Sequence, residues 1–217
     1  MLDNLIIPTL NRYDLLANLL RSIDYPVAHL LIIDNGGKLS LSIDQIPELV
    51  EQVTVLNMPA NLGVASSWNL GIKSFPHCDR WFIASDDMEF EPGGLELLHR
   101  MSANDKMLIS SEWPHFQFFA IGEDFVGVVG LFDEAIHPAN FEDDEYRWRA
   151  EALGFQIDEV EIPHNHVKQG TVFHPDFEKT ISKAYVLNES YLDMKKRNRD
   201  YTDGFWMLSR RRLCGLE

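Results

Sequence analysis

Ser85-Asp86-Asp87 closes an apolar run, and two adjacent carboxylates in a turn can neither pack nor neutralise one another. They attract a hard cation. Mg²⁺ or Mn²⁺ prefers six oxygen ligands, commonly one or two carboxylates completed by waters and substrate phosphates, so the pair suits a metal-bridged diphosphate. A solvated turn whose aspartate caps the next helix accounts for the same residues. Glu142-Asp143-Asp144-Glu145 opens a predicted helix, where each carboxylate gains typically ~0.3–1 kcal/mol from the free N–H groups and is expected to stay ionised at neutral pH. Four consecutive acids exceed what capping requires. One that faces a bound cation, or takes a proton from a substrate hydroxyl as general base, makes such a cluster tolerable; a plain acidic first turn is the alternative. His164 and His166 alternate, so in an extended segment both imidazoles face one side, and one could complete a metal shell. Loop histidines are also commonly plain surface, and carboxylates are the usual Mg²⁺ ligands. Gly63, Ala65, Ser66 and Gly71 put small residues at and after a strand-to-helix turn, which lets backbone approach a phosphate or ribose, or lets a helix pack on a sheet.

The elements that must position these residues follow from periodicity. Apolar runs at 5–7, 30–33, 53–56 and 81–84 read as buried strands, and each ends at a turn: Pro8, Asp34-Asn35-Gly36-Gly37, Asn61-Leu62-Gly63 and Ser85-Asp86-Asp87. Between them, Leu15, Leu16, Leu19, Leu20 and Ile23 recur at helical spacing behind Asn11, a candidate N-cap, and a second helix is predicted over 64–74. Glu91-Pro92-Gly93-Gly94 opens a third helix. Downstream the spacing predicts strands at 106–110, 115–121 and 156–161, a short helix near 123–129, a helix over 142–153 capped by Gly154, a His-rich loop at 163–166 and a long polar helix over 176–197. Short apolar strands alternating with helices predict an α/β fold, a mainly parallel sheet flanked by helices. Ligands in such sheets bind outside the carboxyl ends of the strands, so the turns after the first four strands can converge on one crevice.

A chain of 217 residues with 45% hydrophobic and 24% charged residues excludes disorder, collagen and coiled coil and sets one compact domain as the expectation. Formal charge is −15, unevenly spread: residues 195–217 carry seven Lys/Arg and three acids, residues 1–194 twelve and thirty-one. So acidic a body repels a polyanion, which disfavours nucleic acid as a partner and leaves only the tail, Lys195 to Arg199 and Arg210-Arg211-Arg212, to bind one. An acidic body that must hold a small anion needs a divalent cation. Cys78 and Cys214 form no ligand spacing and are too few for a disulfide framework, the first residues lack a signal-peptide pattern, and no run reaches the ~20 apolar residues of a membrane span. A cytoplasmic location is expected, with peripheral attachment to a membrane left open.

The signals fall in a known order. From Ile6-Ile7-Pro8-Thr9-Leu10-Asn11-Arg12 through Ile32-Ile33-Asp34-Asn35, Asn61-Leu62-Gly63-Val64-Ala65, Asn69-Leu70-Gly71-Ile72 and Phe82-Ile83-Ala84-Ser85-Asp86-Asp87, the chain resembles the GT-A glycosyltransferases, particularly the inverting family 2. Gly130-Leu131-Phe132-Asp133-Glu134 followed by Phe141-Glu142-Asp143-Asp144-Glu145-Tyr146-Arg147-Trp148-Arg149 resembles that family's acceptor-side motif, in which an acidic helix start supplies the base. The resemblance covers about residues 4–171 and implies a Rossmann-like GT-A domain over 1–175, with 176–217 as a C-terminal helix and basic tail packed on it or extending from it.

It implies a nucleotide-sugar donor, UDP-sugar first, and Mn²⁺ or Mg²⁺ as cofactor. Pro8, Thr9, Asn11 and Arg12 would border the base, Asp34 would hydrogen-bond it, and Asn61 and Gly63 would border the nucleoside. Asp86 would lie near the ribose. In the DXD-type metal motif Ser85 stands where many members carry a third acid, which leaves Asp87 as principal ligand, and His166, in His166-Val167-Lys168-Gln169-Gly170-Thr171, would meet the metal or diphosphate. Glu142 and Asp143 would be the catalytic carboxylates, Asp143 deprotonating the hydroxyl of a glycan, lipid-linked or other acceptor. Asn188, Tyr191 and Lys195 resemble a C-terminal helix of some members. The absence of Gln-x-x-Arg-Trp argues against a processive polysaccharide synthase. Two other readings stand beside this one: a noncatalytic GT-A-like protein that binds nucleotide-sugars or glycans, and a sugar nucleotidyltransferase, whose Gly-rich N-terminal loop is missing because residues 8–14 hold no Gly.

Overall fold

A computed structural model of the chain describes residues 1–113, 115–166 and 175–202, of 175–180 the backbone alone. Residues 167–171 of the last motif, the arginines at 210–212 and Cys214 lie outside the described residues. Among the described residues nine strands and six α-helices follow one another: β1 (Leu5–Thr9), α1 (Tyr13–Arg21), β2 (Val27–Asp34), β3 (Val50–Asn57), α2 (Val64–Ser74), β4 (Arg80–Ala84), β5 (Met88–Phe90), α3 (Gly94–Met101), β6 (Met107–Ser110), β7 (Phe118–Gly122), α4 (Glu123–Val129), α5 (Glu142–Ala152), β8 (Asp158–Val160), β9 (His164–His166) and α6 (Pro175–Asn198).

Seven strands form one sheet in the order β3-β2-β1-β4-β7-β6-β8, parallel throughout except that β7 runs against both neighbours. Each central strand is apolar on both faces because helices cover both. Leu5 and Ile7 of β1, Leu30 and Ile32 of β2 and Phe82 of β4 face one core with Leu16 and Leu19 of α1 and Leu95 and Leu98 of α3. Their neighbours Ile6, Leu31, Ile33 and Ile83 face the other with Trp68 of α2, Phe125 of α4 and Tyr146 of α5. The period-two alternation thus sorts a continuous apolar run into two cores. Gly71 is required where α2 meets β1, since a Cβ there would lie 2.4 Å from the Ile6 side chain. Among the described residues no helix is long and apolar enough to cross a membrane.

Two expectations fail locally. Asn11 does not cap α1: the N-cap is Arg12, which makes no side-chain cap bond, and Asn11 has φ +59° with its side-chain oxygen against Gly36. The predicted His-rich loop is strand β9, paired antiparallel with β5 in a separate two-stranded sheet, Met88 opposite His166 and Phe90 opposite His164. Neither strand was predicted, because three residues carry no period.

The carboxyl ends of β1, β2 and β4 share one edge. The short 3-10 turn His115–Gln117, read from sequence as the start of β7, reaches that edge, where the Ser85 N–H donates to the Gln117 carbonyl at 2.7 Å.

Candidate active site

A cavity of about 240 Å³ opens at this edge. Pro8 and Thr9 reach it from the end of β1, Asn61 and Gly63 from the loop before α2, and Asp86 and Asp87 from the turn after β4. Glu142 and Asp143 enter it from the start of α5 and His166 from β9, while Trp68 and Phe116 form an apolar wall. Gly63 has φ +82°, and a Cβ there would lie 2.8 Å from the Pro138 carbonyl, so this crossing of two loops excludes a side chain.

Three residues expected around the base are outside the lining of this cavity. Asp34 is fully buried and outside the cavity lining, its oxygens accepting from Tyr13 Oη (3.0 and 3.1 Å) and from the backbone N–H of Gly36, Lys38 and Leu39 (2.7–2.9 Å). Its carboxylate shapes the turn after β2, a side-chain-to-backbone arrangement that an Asp followed by Asn and two glycines favours. Asn11 and Arg12 also stay outside the lining. Arg12 pairs with Asp14 at 2.9 Å; that bond first, then the charges of Asp14, Asp86 and Asp87, hold its pKa above the ordinary value. Arg12 thus sits within electrostatic reach of the acidic turn.

Asp86 is 6% exposed and accepts a 2.6 Å bond from Thr9 Oγ1. Burial pushes its pKa up to about 7 against that bond, with the Asp87 charge adding to the rise. The β5–β9 pairing sets His166 opposite Met88, the residue after Asp87, which brings His166 Nε2 to 3.4 Å from Asp87 Oδ2. His164 points elsewhere: it is 4% exposed, with Nδ1 2.6 Å from the Ile162 carbonyl and Nε2 2.7 Å from Gln117 Nε2. Among the described residues no group of three His, Cys, Asp or Glu side chains is arranged to hold a metal ion. Asp87 and His166 make two.

The acidic start of α5 differs from its expected state. Asn140 (φ +71°) and Phe141 (φ +76°) are both left-handed without being glycine, a strained entry to a helix. It is held from α6: Asn188 Nδ2 donates to the Ala139 and Asn140 carbonyls at 3.0 and 3.2 Å, and Phe141 meets Tyr185 edge-on at 4.7 Å between centroids. The turn presses Glu142 inward. Burial first, then the charges of Asp143 and Asp144, push Glu142 up to about 8, so at neutral pH it is mostly protonated rather than ionised. Burial and Asp144 raise Asp143 as well, which makes it a stronger base than a carboxylate at an open helix start.

Beneath, Glu145 accepts from Arg149 Nε and Nη2 (3.0 and 2.9 Å) and from Lys195 Nζ (2.6 Å). Lys195 also donates to Asp133 at 2.6 Å, beside Tyr191 Oη at 2.9 Å. Asn188, Tyr191 and Lys195 recur at i, i+3 and i+7, so one polar face of α6 fixes the loop that carries Asn140.

Gln117 and Asn140 escaped sequence reasoning. Among the described residues three buried polar atoms of the lining have no partner, Gln117 Oε1, Asn140 Nδ2 and Glu142 Oε2. Since buried polar groups are paired as a rule, such a cluster in one cavity marks a ligand site. Asn140 had a readable signal, because an Asn before an acidic helix start is a candidate left-handed residue; Gln117 had none.

No protein-family model matches the chain, and no curated protein sequence matches it. Solved structures do. TarS of S. aureus aligns over 86% of this chain and 39% of its own, with TM-score 0.56 and 13% identity, so the chain spans well under half of that protein's length. GalNAc-T7, solved with UDP, GalNAc and Mn²⁺, aligns over 98% of this chain and 54% of its own, with TM-score 0.58 and 12% identity. A Drosophila β1,4-galactosyltransferase 7 mutant, solved with manganese, UDP-Gal and xylobiose, aligns over 81% and 72%, with TM-score 0.52 and 11% identity. Strand order, flanking helices and these likenesses agree: the chain has the GT-A fold of the glycosyltransferases.

Proposed function

We propose that the chain is an inverting glycosyltransferase of family 2 type that moves a sugar from a nucleoside diphosphate, UDP before others, to an acceptor hydroxyl on a glycan, a lipid-linked saccharide or a similar molecule. One observation carries the reading: Asp87, His166 and Asp143, far apart in sequence, line one cavity at the carboxyl edge of the sheet. The UDP and manganese held by GalNAc-T7, and the UDP-Gal and manganese held by the galactosyltransferase, support the choice of donor and ion.

The donor set suits a divalent ion. Asp87 and His166 offer a carboxylate oxygen and an imidazole nitrogen 3.4 Å apart, leaving most of six positions to diphosphate oxygens and water, the usual division for Mn²⁺ or Mg²⁺ bound with a nucleotide. Such an ion, when bound, supplies positive charge against the departing diphosphate, which is most negative in the transition state. The remaining steps belong to the chain. Asp143 accepts the proton of the acceptor hydroxyl as that oxygen bonds the anomeric carbon; the bond from that carbon to the diphosphate oxygen breaks on the opposite face, and the nucleoside diphosphate leaves with the electron pair. Burial that raises the Asp143 pKa serves this role, because general-base efficiency grows as the pKa approaches the working pH. Trp68 and Phe116 keep water from the anomeric carbon.

The test joins binding with turnover. A saturating nucleoside diphosphate from the set UDP, GDP, dTDP and CDP, with Mn²⁺ at ~100 times its dissociation constant, adds about 2.7 kcal/mol. At ~2–4 °C per kcal/mol for this size the melting shift is ~5–11 °C. Asp143→Asn is expected to keep that shift and lose at least about a thousandfold in donor turnover; turnover near the wild-type rate refutes the base assignment.

A further inference from the structure

Gln117 carries an acceptor oxygen that the fold fixes and then leaves alone. The residue is 3% exposed and closes the 3-10 turn that abuts Ser85. Its Nε2 lies 2.7 Å from His164 Nε2, and His164 Nδ1 lies 2.6 Å from the Ile162 carbonyl. A carbonyl only accepts, so Nδ1 carries a proton, and in the neutral imidazole Nε2 offers its lone pair. Gln117 then donates its amide N–H to His164 and turns Oε1 away from it; Glu112 Oε2, 4.0 Å from the same Nε2, lies beyond hydrogen-bond distance. Oε1 is held on the other side of the group, buried and without a partner among the described residues, on a side chain that lines the cavity Asp87 and Asp143 share. A buried carbonyl oxygen lacking a donor destabilises the empty protein, and a ligand O–H or N–H relieves it.

The charge of the lining narrows the ligand. Asp86, Asp87, Glu142 and Asp143 line the cavity, and among its described lining residues there is no Lys or Arg. A carboxylate-bearing sugar would meet repulsion that only the ion at Asp87, already engaged by the diphosphate, could offset. A hydroxyl both donates and accepts, and beside Glu142 Oε2 the cavity offers orphans of both kinds, Gln117 Oε1 to receive and Asn140 Nδ2 to give. We propose that Gln117 is a sugar-selecting residue whose Oε1 accepts from a ring hydroxyl of an uncharged donor sugar, and that His164 is the positioning residue that sets its amide. The proposal rests on the nucleotide-sugar reading of the cavity. It adds to that reading a substrate class, neutral hydroxylated sugars, and a residue that reads them.

Calorimetry with Mn²⁺ tests it on the full chain, using the diphosphate that the wild type binds best among UDP, GDP, dTDP and CDP, alone and carrying a neutral hexose or a uronic acid. The expected result is a gain of about tenfold in affinity for one neutral nucleotide-sugar over its bare diphosphate, and no gain for the uronic acid. Gln117→Met should abolish the gain and leave diphosphate affinity within about twofold. His164→Phe should do the same, and the double variant should be no worse, since His164 acts only through Gln117. A residue needed merely for folding would weaken diphosphate and nucleotide-sugar together. Donors with single ring hydroxyls replaced by hydrogen make the test independent of variant folding, because one position should cost the wild type about tenfold. A sugar gain that survives Gln117→Met, equal losses for bare and sugar-bearing ligand, a deoxy series without a costly position, or preference for the uronic acid each overturns the inference while the cavity reading stands. Failure of every diphosphate to bind the wild type overturns both.

Discussion

Glu142→Gln should stabilise the ligand-free protein, and more so as pH rises. Glu142 has an ordinary pKa of 4.5, and in the folded chain burial first and its acidic neighbours second push it up to about 8. Between those values the folded chain holds a proton the unfolded chain has released, so stability falls with rising pH across that window. At pH 7 the gap is about 2.5 units, and at 1.36 kcal/mol per unit the penalty reaches about 3 kcal/mol. Asp143 shares the burial, so about half of that is a fair lower figure. Glutamine has the shape of the protonated acid and cannot ionise. The variant should therefore melt ~3–12 °C above wild type at pH 7, using ~2–4 °C per kcal/mol. The opposing force is the helix N-terminus, which favours a carboxylate by only ~0.3–1 kcal/mol. Melting curves of both proteins in EDTA at pH 5, 6, 7 and 8 decide the matter. Desolvation predicts a difference of no more than about 1 kcal/mol at pH 5 that widens to pH 8. A difference independent of pH, or a variant that loses ground as pH rises, would show Glu142 ionised in the folded chain and the argument wrong.

Asp87→Ala should remove the Mn²⁺ dependence of donor binding, and EDTA should do to the wild type what the substitution does; donor affinity indifferent to both rules out the pair with His166 as the metal site. Lys195→Met should lower stability by about 3–5 kcal/mol in denaturant titrations, because it strips a cation from the fully buried carboxylates of Asp133 and Glu145; an unchanged midpoint means the cluster does not form in solution.

The sheet was legible because buried parallel strands read as unbroken apolar runs, and because each run ends where a turn residue stops it. The convergence of Asn61, Asp86 and Asp87 on one cavity was legible through strand order, since carboxyl ends of parallel strands share an edge, whereas Glu142 and Asp143 were expected there only through the family resemblance. Asp34 stays out of the cavity lining for a local reason. Its sequence, Asp followed by Asn and two glycines, is also that of a self-bonding turn, and three backbone N–H bonds to its oxygens fulfil that pattern. Strands β5 and β9 hold each other up and have too few residues to show a period. Gln117 is meaningful only through His164, 47 residues later, and no spacing announces such a pair. The i, i+3, i+7 face of Asn188, Tyr191 and Lys195 was readable as a polar stripe, yet only the structure shows that it buries itself against the loop before α5.

The acidic run at the start of α5 looked uniform in sequence, and folding gives its members different chemistry. Asp144 is exposed and Glu142 is buried. Glu145, one turn along, faces inward, where Arg149 and Lys195 neutralise it at 2.6–3.0 Å. Asp143 faces the cavity. Arg149 and Lys195 thus sit behind the helix and outside the lining, and this asymmetry separates the acid they neutralise from those that face the cavity. A lysine beside Asp143 would lower its pKa and weaken it as a base. A lysine missing behind Glu145 would leave a buried charge uncompensated and loosen the helix start that aims Asp143. The Lys195 contact from α6 therefore acts on the cavity from a distance: it neutralises Glu145 behind α5, while Glu142 and Asp143 enter a cavity with no Lys or Arg among its described lining residues.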